Sequence, residues 1–230
     1  MIPKRIHYCW FGRGEKTEKV KNCIASWKKY MSEYEIIEWN EDNFDINMNP
    51  YTKMCYEQRK FAFLTDYLRL IVIERYGGIY FDTDVEVVKN FDALLDNQAF
   101  FGFENDKFAN TGQGFGAEPH NIIVQQMIKE YECLLDGTDG VIGCPILNTR
   151  ALMKFGLTLN GELQVLDHAT VYPADYFNPR DSVTGETEFT NNTYSIHWYA
   201  ASWMPWYTRL RKRILKPIHR LDKKIRRNKQ

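Results

Sequence analysis

Apolar residues along the chain switch repeatedly between strand and helix spacing. "RIHYCWF" (5–11) gathers aromatic and branched side chains into a short run closed by Gly12 and Gly14, which predicts a first strand. Val20, Cys23, Ile24, Trp27, Tyr30 and Met31 then recur at helical spacing and predict an amphipathic helix over about 16–31. "YEIIEW" predicts a second strand. A second helix is expected from Cys55 to Tyr76, with Gly77 as its left-handed stop. "GIYFDTDVEVV" and "QAFFGFE" read as two further strands. Ile123, Met127, Ile128, Tyr131 and Leu135 stripe a helix from His120 to Leu135, and Pro145 opens a short one in "PILNTRALMKF". Val165 to Trp203 reads as short strands and turns. Strands alternating with helices predict an α/β domain with a largely parallel central sheet.

Two acids break this pattern where apolar residues are expected. Residues two apart on a strand face the same way, so Tyr80, Asp82 and Asp84 are expected on one face while Ile79, Phe81 and Val85 pack inward. Ligands of open α/β sheets gather at the carboxyl ends of strands. Two carboxylates there suit a hard divalent cation, Mg²⁺ or Mn²⁺, bridging to a phosphate-bearing ligand; a solvated turn at a strand end is the plainer alternative. On the preceding helix, Asp66 and Arg69 are three apart and share an apolar face with Ala62 and Ile73. They fit either a ligand-binding pair or an internal ion pair.

Composition and charge add a boundary. The 230 residues carry 30 Lys/Arg and 30 Asp/Glu, but eleven of the basic residues and a single acid fall between Arg209 and Gln230. A domain over 1–205 and a basic tail over 206–230 are therefore expected. Leu210, Ile214, Leu215, Ile218, Leu221 and Ile225 give the tail near-helical apolar spacing, with a kink at Pro217. That pattern fits a helix drawn to an anionic membrane surface, or one packed on the domain. No base-reading module accompanies the charge, which argues against nucleic acid. Five cysteines without a CxxC pair read as reduced thiols. With no leader and no apolar run of spanning length, the expected location is the cytoplasm, peripheral on the inner face of the plasma membrane.

"IPKRIHYCWFG", "AFLTDYLRLIVIERYGGIYFDTDV" and "YSIHWYAASW", in that order over residues 1–205, resemble the DXD-containing sugar transferases of glycosyltransferase family 32, a group that includes bacterial capsule and exopolysaccharide enzymes. The resemblance implies a GT-A fold, a nucleotide-diphosphate-sugar donor (a UDP-hexose first), Mn²⁺ or Mg²⁺, and retention at the anomeric carbon. It implies a glycan or lipid-linked saccharide acceptor. By motif, Trp10 matches the aromatic that stacks on the base. Asp66 and Arg69 match the pair on the sugar hydroxyls, and Tyr80 the ring lining that pocket. Asp82 and Asp84 match the DXD acids, with Asp84 the more direct metal ligand. His197 matches a histidine that completes the metal shell or touches the diphosphate, although many relatives carry two adjacent histidines where this chain has Ile196-His197. Ser202 and Trp203 match donors to the β-phosphate, and Asn110 matches a polar loop residue facing the reacting centre. "IGCP" stands where relatives commonly have a Thr-Gly-Pro segment near the acceptor; the residue before Pro145 is Cys144 here, and no role is carried over to it.

Two other classes compete. A HAD-type phosphohydrolase also reads hydrophobic-Asp-x-Asp, but that motif usually opens its domain and needs a later acidic cluster, and neither condition holds here. A non-catalytic, membrane-associated glycan-binding relative would keep the fold, and the intact Asp66, Arg69, Asp82, Asp84 and His197 argue against it.

Overall fold

The computed structural model describes residues 1–200, 207–208, 210–211 and 214–217. The first half runs β1 (Arg5–Cys9), α1 (Glu18–Tyr30), β2 (Glu35–Trp39), α2 (Pro50–Glu57), α3 (Phe61–Tyr76), β3 (Gly78–Tyr80) and β4 (Val85–Val87). Then follow β5 (Ala99–Asn105), β6 (Phe108–Asn110), β7 (Phe115–Ala117), α4 (Ile122–Lys129), α5 (Cys144–Met153), β8 (Gln164–Leu166), β9 (Ala169–Tyr172), α6 (Ala174–Phe177) and β10 (Ser195–His197).

The strands build a mixed α/β sheet in the order β2-β1-β3-β7-β5-β9-β8, with β6 on β5. β2, β1, β3, β5 and β9 run one way; β7 is inserted antiparallel between β3 and β5. A second, two-stranded ribbon pairs β4 with β10. One face of the large sheet carries α2 to α5 over a core that includes Tyr51, Leu68, Phe101, Tyr131 and Leu147. The other face buries Trp27 of α1 with Phe81, Phe91, Phe100 and Phe177. Trp27 also ties the ribbon down, its indole N–H donating to the Val85 carbonyl at 2.8 Å.

Several expectations change in detail. The helix expected over 55–76 is two helices. Its first part starts earlier, at Pro50, because Asn49 and Thr52 form a reciprocal capping box. It ends where Arg59 takes φ +54°, with Lys60 N–H donating to Cys55 O and Arg59 N–H to Tyr56 O, the bond pair of a Schellman stop. Gly77 does close α3 at positive φ, but its ψ of −171° is extended rather than left-handed helical. The helix expected from His120 to Leu135 stops at Lys129 and continues as a 3₁₀ turn over Glu132–Leu134. Phe115–Ala117, which no apolar run singled out, is a strand of the main sheet.

The largest correction concerns "GIYFDTDVEVV". The strand stops at Tyr80, turns through Asp82–Asp84, and resumes as β4 in the other sheet. Val85 N–H donates to Asp82 O at 3.0 Å and closes that turn. Tyr80, Asp82 and Asp84 therefore do not share one strand face; a turn between two sheets brings the two acids together.

Beside this crossing, His7 is buried under Trp39. The indole N–H of Trp39 donates to Nδ1 at 3.1 Å, which leaves the proton on Nε2 for the Gly77 carbonyl at 2.9 Å. Burial lowers the imidazole to about 4 against the opposing Gly77 bond, so it is neutral in the folded chain.

Candidate functional site

Asp82 sits at the carboxyl end of β3 and is fixed from both sides. The Phe81 N–H donates to His7 O at 3.1 Å on β1, and the Asp82 N–H donates to Gly112 O at 3.2 Å. Its carboxylate meets Arg69 of α3, Nη2 to Oδ1 at 2.9 Å. The same Nη2 lies 2.7 Å from Asp66 Oδ1, one turn earlier on the helix. The expected sharing of a face by Asp66 and Arg69 thus holds, and the pair is both internal and part of the carboxylate cluster.

Arg69 is only 2% exposed, and its remaining donors are occupied. Nε donates to Thr65 O at 3.2 Å, Nη1 to Thr111 Oγ1 at 3.4 Å, and the guanidinium lies 4.9 Å from the centre of the Tyr80 ring. Tyr80 is itself 1% exposed, so it supports Arg69 from beneath. Burial pulls the guanidinium down, but Asp82 and Asp66 outweigh it and hold its pKa well above the ordinary value. Burial pushes Asp82 up to about 6 against Arg69 and His197, and raises Asp66 against Arg69 and Cys144.

Asp84 is held by the ribbon. The β4/β10 register sets His197 opposite Val85, and Trp198 N–H donates to Asp84 O at 3.0 Å. His197 Nε2 then lies 3.2 Å from Asp84 Oδ1, while Ala200 N–H donates to Oδ2 at 2.6 Å. Burial opposes ionisation of Asp84. His197, the Ala200 N–H and Lys19 outweigh it and hold the carboxyl at about 2. Burial likewise opposes charge on His197, and Asp84 and Asp82 reverse that, raising the imidazole. Among the described residues, His197 Nδ1 is buried with no hydrogen-bond partner.

Ligand atoms of Asp82, Asp84 and His197 lie within 4.8 Å of one another. Three largely buried carboxylates here face one guanidinium and one titratable imidazole. When the imidazole is neutral, that imbalance is what a divalent cation relieves, and two carboxylates with one nitrogen suit Mn²⁺ or Mg²⁺. The donor set fits.

Trp10 follows β1 at the same edge of the sheet, half-buried, its indole N–H on Gly14 O at 2.7 Å and the Lys16 ammonium 5.5 Å from its ring. Asn110 closes β6 beside the acids. Its Oδ1 accepts from Gly112 N–H at 2.7 Å and its Nδ2 donates to Glu104 at 2.9 Å. Ser202 and Trp203 lie outside the described residues.

Sequence reasoning missed four participants. A Cβ on Gly112 would overlap Asp82 Oδ2 and lie 2.9 Å from Arg69 Nη1, so only glycine lets the backbone cross the acids. Cys144 opens α5, and its thiol and backbone N–H both reach Asp66, with the sulfur 3.6 Å from Asn110 Oδ1. The signal was Pro145, which marks a helix N-terminus and hence free N–H donors. Tyr199, at φ +52°, packs its ring 4.3 Å from that of His197 at a 34° tilt and donates its hydroxyl to Glu104, which also takes the Asn110 amide. No spacing rule links Glu104, on the main sheet, to Tyr199 after the ribbon.

Residues 17–101 match the family model "Glycosyltransferase sugar-binding region containing DXD motif". The match spans 85 of the 230 residues and supports a DXD glycosyltransferase. Among solved structures, "PaToxG Glycosyltransferase" is similar at 22% identity and TM-score 0.54, over 66% of this chain and 68% of that one. The likeness confirms the GT-A type of fold expected from the sequence. A "glycosyltransferase involved in the glycosylation of the major capsid of PBCV-1" aligns over 85% of this chain and 94% of that one, at 11% identity and TM-score 0.47. No curated protein sequence matches the chain. The DXD region and the fold support a glycosyltransferase and leave the phosphohydrolase alternative unfavoured; Asp82 and Asp84 are the acids of its motif.

Proposed function

We propose that the chain is a metal-dependent, retaining hexosyltransferase that moves a sugar from a UDP-hexose to a glycan or lipid-linked glycan in bacterial polysaccharide synthesis. The observation that carries this is the convergence of Asp82 and Asp84, within the matched DXD region, with His197 from beyond it, beside the buried Asp66–Arg69 pair. Asp82, Asp84 and His197 would hold the cation. Bound there, a divalent ion supplies Lewis-acid stabilisation of the departing diphosphate.

The chain's own residues divide the remaining work. Asp66 and Arg69, oriented by Tyr80 and the N-terminus of α5, are suited to the hydroxyls of the donor sugar. A site of that kind rejects analogues that leave buried polar groups unpaired. Trp10, at the same sheet edge, offers a ring for the base. Asn110, beside the acids with its amide oriented by Glu104, is suited to the reacting centre. Ser202 and Trp203 are assigned to the diphosphate by motif alone. The basic tail beyond residue 205 suits an anionic membrane surface.

A screen of nucleotide sugars with Mn²⁺, scoring nucleoside-diphosphate release, tests the reading. Release is expected with a UDP-hexose, and it should stop on chelation. Undiminished transfer after rigorous chelation would overturn the metal role; activity on phosphate esters without sugar transfer would overturn the reaction class.

A further inference from the structure

Glu104 stands at an irregularity in the sheet. Gly102 and Phe103 of β5 pair with Asn110 and Ala109 of β6, but Phe108 then pairs with Asn105. Glu104 is the extra residue of a bulge, a feature that re-aims the side chain it carries. Its carboxylate takes Asn110 Nδ2 at 2.9 Å from one side and the Tyr199 hydroxyl from the other. Asn110 belongs to the main sheet, and Tyr199 follows the ribbon strand β10. One half-buried carboxylate therefore joins the two layers that hold the acids.

On the ribbon side, Tyr199 needs an anchor. It is a non-glycine residue at φ +52°, a conformation that costs about 1–2 kcal/mol and persists only where its surroundings impose it. The turn it makes serves the site. Trp198 N–H donates to Asp84 O at 3.0 Å and Ala200 N–H to Asp84 Oδ2 at 2.6 Å, so the residues on either side of Tyr199 hold one acid. The Tyr199 ring lies 4.3 Å from that of His197. Asn178 Nδ2 donates to the Tyr199 hydroxyl at 2.6 Å, which leaves the phenol's own proton for Glu104. On the sheet side, Asn110 Oδ1 accepts from Gly112 N–H at 2.7 Å, and Gly112 O accepts from Asp82 N–H at 3.2 Å. By accepting at Nδ2, Glu104 fixes which end of the Asn110 amide faces Gly112.

We propose that Glu104 is a positioning residue for the cation site. It braces Asp84 and His197 through Tyr199, and Asp82 through Asn110 and Gly112, so that sheet and ribbon keep one spacing between the ligands. The inference rests on the cation reading of the site and adds the residue that sets its geometry.

Calorimetric titration of Mn²⁺ into the full chain with UDP present tests it, with thermal unfolding in chelator as the check on folding. Glu104→Ala is expected to weaken Mn²⁺ by roughly 10–100-fold, as loss of a group that orients metal ligands does. Glu104→Gln, which can still accept from one of the two donors, should fall between Glu104→Ala and the wild type. Tyr199→Phe keeps the ring on His197 and removes only the hydroxyl, so a loss in the same direction of about three- to tenfold is expected. The double variant Glu104→Ala/Tyr199→Phe should lose little beyond Glu104→Ala alone, because both changes cut one path. Wild-type Mn²⁺ affinity in folded Glu104→Ala and Tyr199→Phe overturns the role of Glu104 and leaves the cation reading standing. Fully additive losses in the double variant overturn the path through Tyr199. No Mn²⁺ bound by the wild type overturns the cation reading itself, and the positioning role with it.

Discussion

Asp82 and Asp84 are two residues apart and are held in opposite ways. Asp82 belongs to the main sheet, where helix α3 meets it with a buried guanidinium that Asp66 also claims. Asp84 belongs to the small ribbon, where an imidazole and a backbone N–H meet it. Burial dominates the first carboxyl and raises it to about 6; local partners dominate the second and lower it to about 2. One acid is thus kept under-compensated by the rigid core, and the other is well paired by a segment from the far end of the described chain. A cation seated between them draws on both.

The largest effect should come from the ribbon side. Asp84→Ala is expected to lower turnover by roughly 10³-fold, the equivalent of about 4 kcal/mol of transition-state stabilisation, with the fold retained. Steady-state kinetics and circular dichroism on the same preparation check it. A loss of less than tenfold would remove Asp84 from the centre of the site.

On the core side the main cost is in folding. Arg69→Met strands Asp66 and Asp82 as buried carboxylates and should destabilise the chain by about 3–5 kcal/mol in denaturant titrations. His197→Ala, by contrast, is expected to cost less stability than Arg69→Met, because Asp84 keeps the Ala200 N–H, while weakening Mn²⁺ binding by roughly 10–100-fold. If the two variants lost stability equally, core and ribbon would not differ as described.

The smallest effect is also the most diagnostic, because its sign differs between the acids. Asp82 has a raised pKa in the folded chain, so its ionisation costs stability as pH rises from about 4 to about 6. Asp84 has a lowered one, so the stability it contributes is present above about 4 and is lost as pH falls towards 2. In cation-free protein at pH 7, Asp82→Asn should therefore raise the thermal midpoint and Asp84→Asn lower it, each by about 1–3 kcal/mol equivalent. Calorimetry with chelator present reads both, and shifts of the same sign would contradict the contrast.

The contrast also explains what was legible in the sequence. Helix and strand order followed from apolar spacing because most elements bury one face. The spacing of Asp66 and Arg69 survives because both lie on one uninterrupted helix. Failures came where distant backbone decides. The break after Tyr80 depends on β10 pairing with β4, and nothing in "IYFDTDVEV" reveals that partner. Gly112 joins the acids through a tertiary crossing that no local propensity marks, and Pro145 marks the start of α5 without showing that Cys144 meets Asp66 there. Arg59 stops a helix in a conformation usually given to glycine, which hid the division between α2 and α3.

Calorimetric titration of Mn²⁺ into the chain with UDP present is the most direct test of the carboxylate site. One ion per chain is expected in the wild type, no measurable binding in Asp84→Ala, and weakened binding in His197→Ala. Wild-type affinity in Asp84→Ala, or no ion bound even with UDP, would contradict a cation held between Asp82, Asp84 and His197.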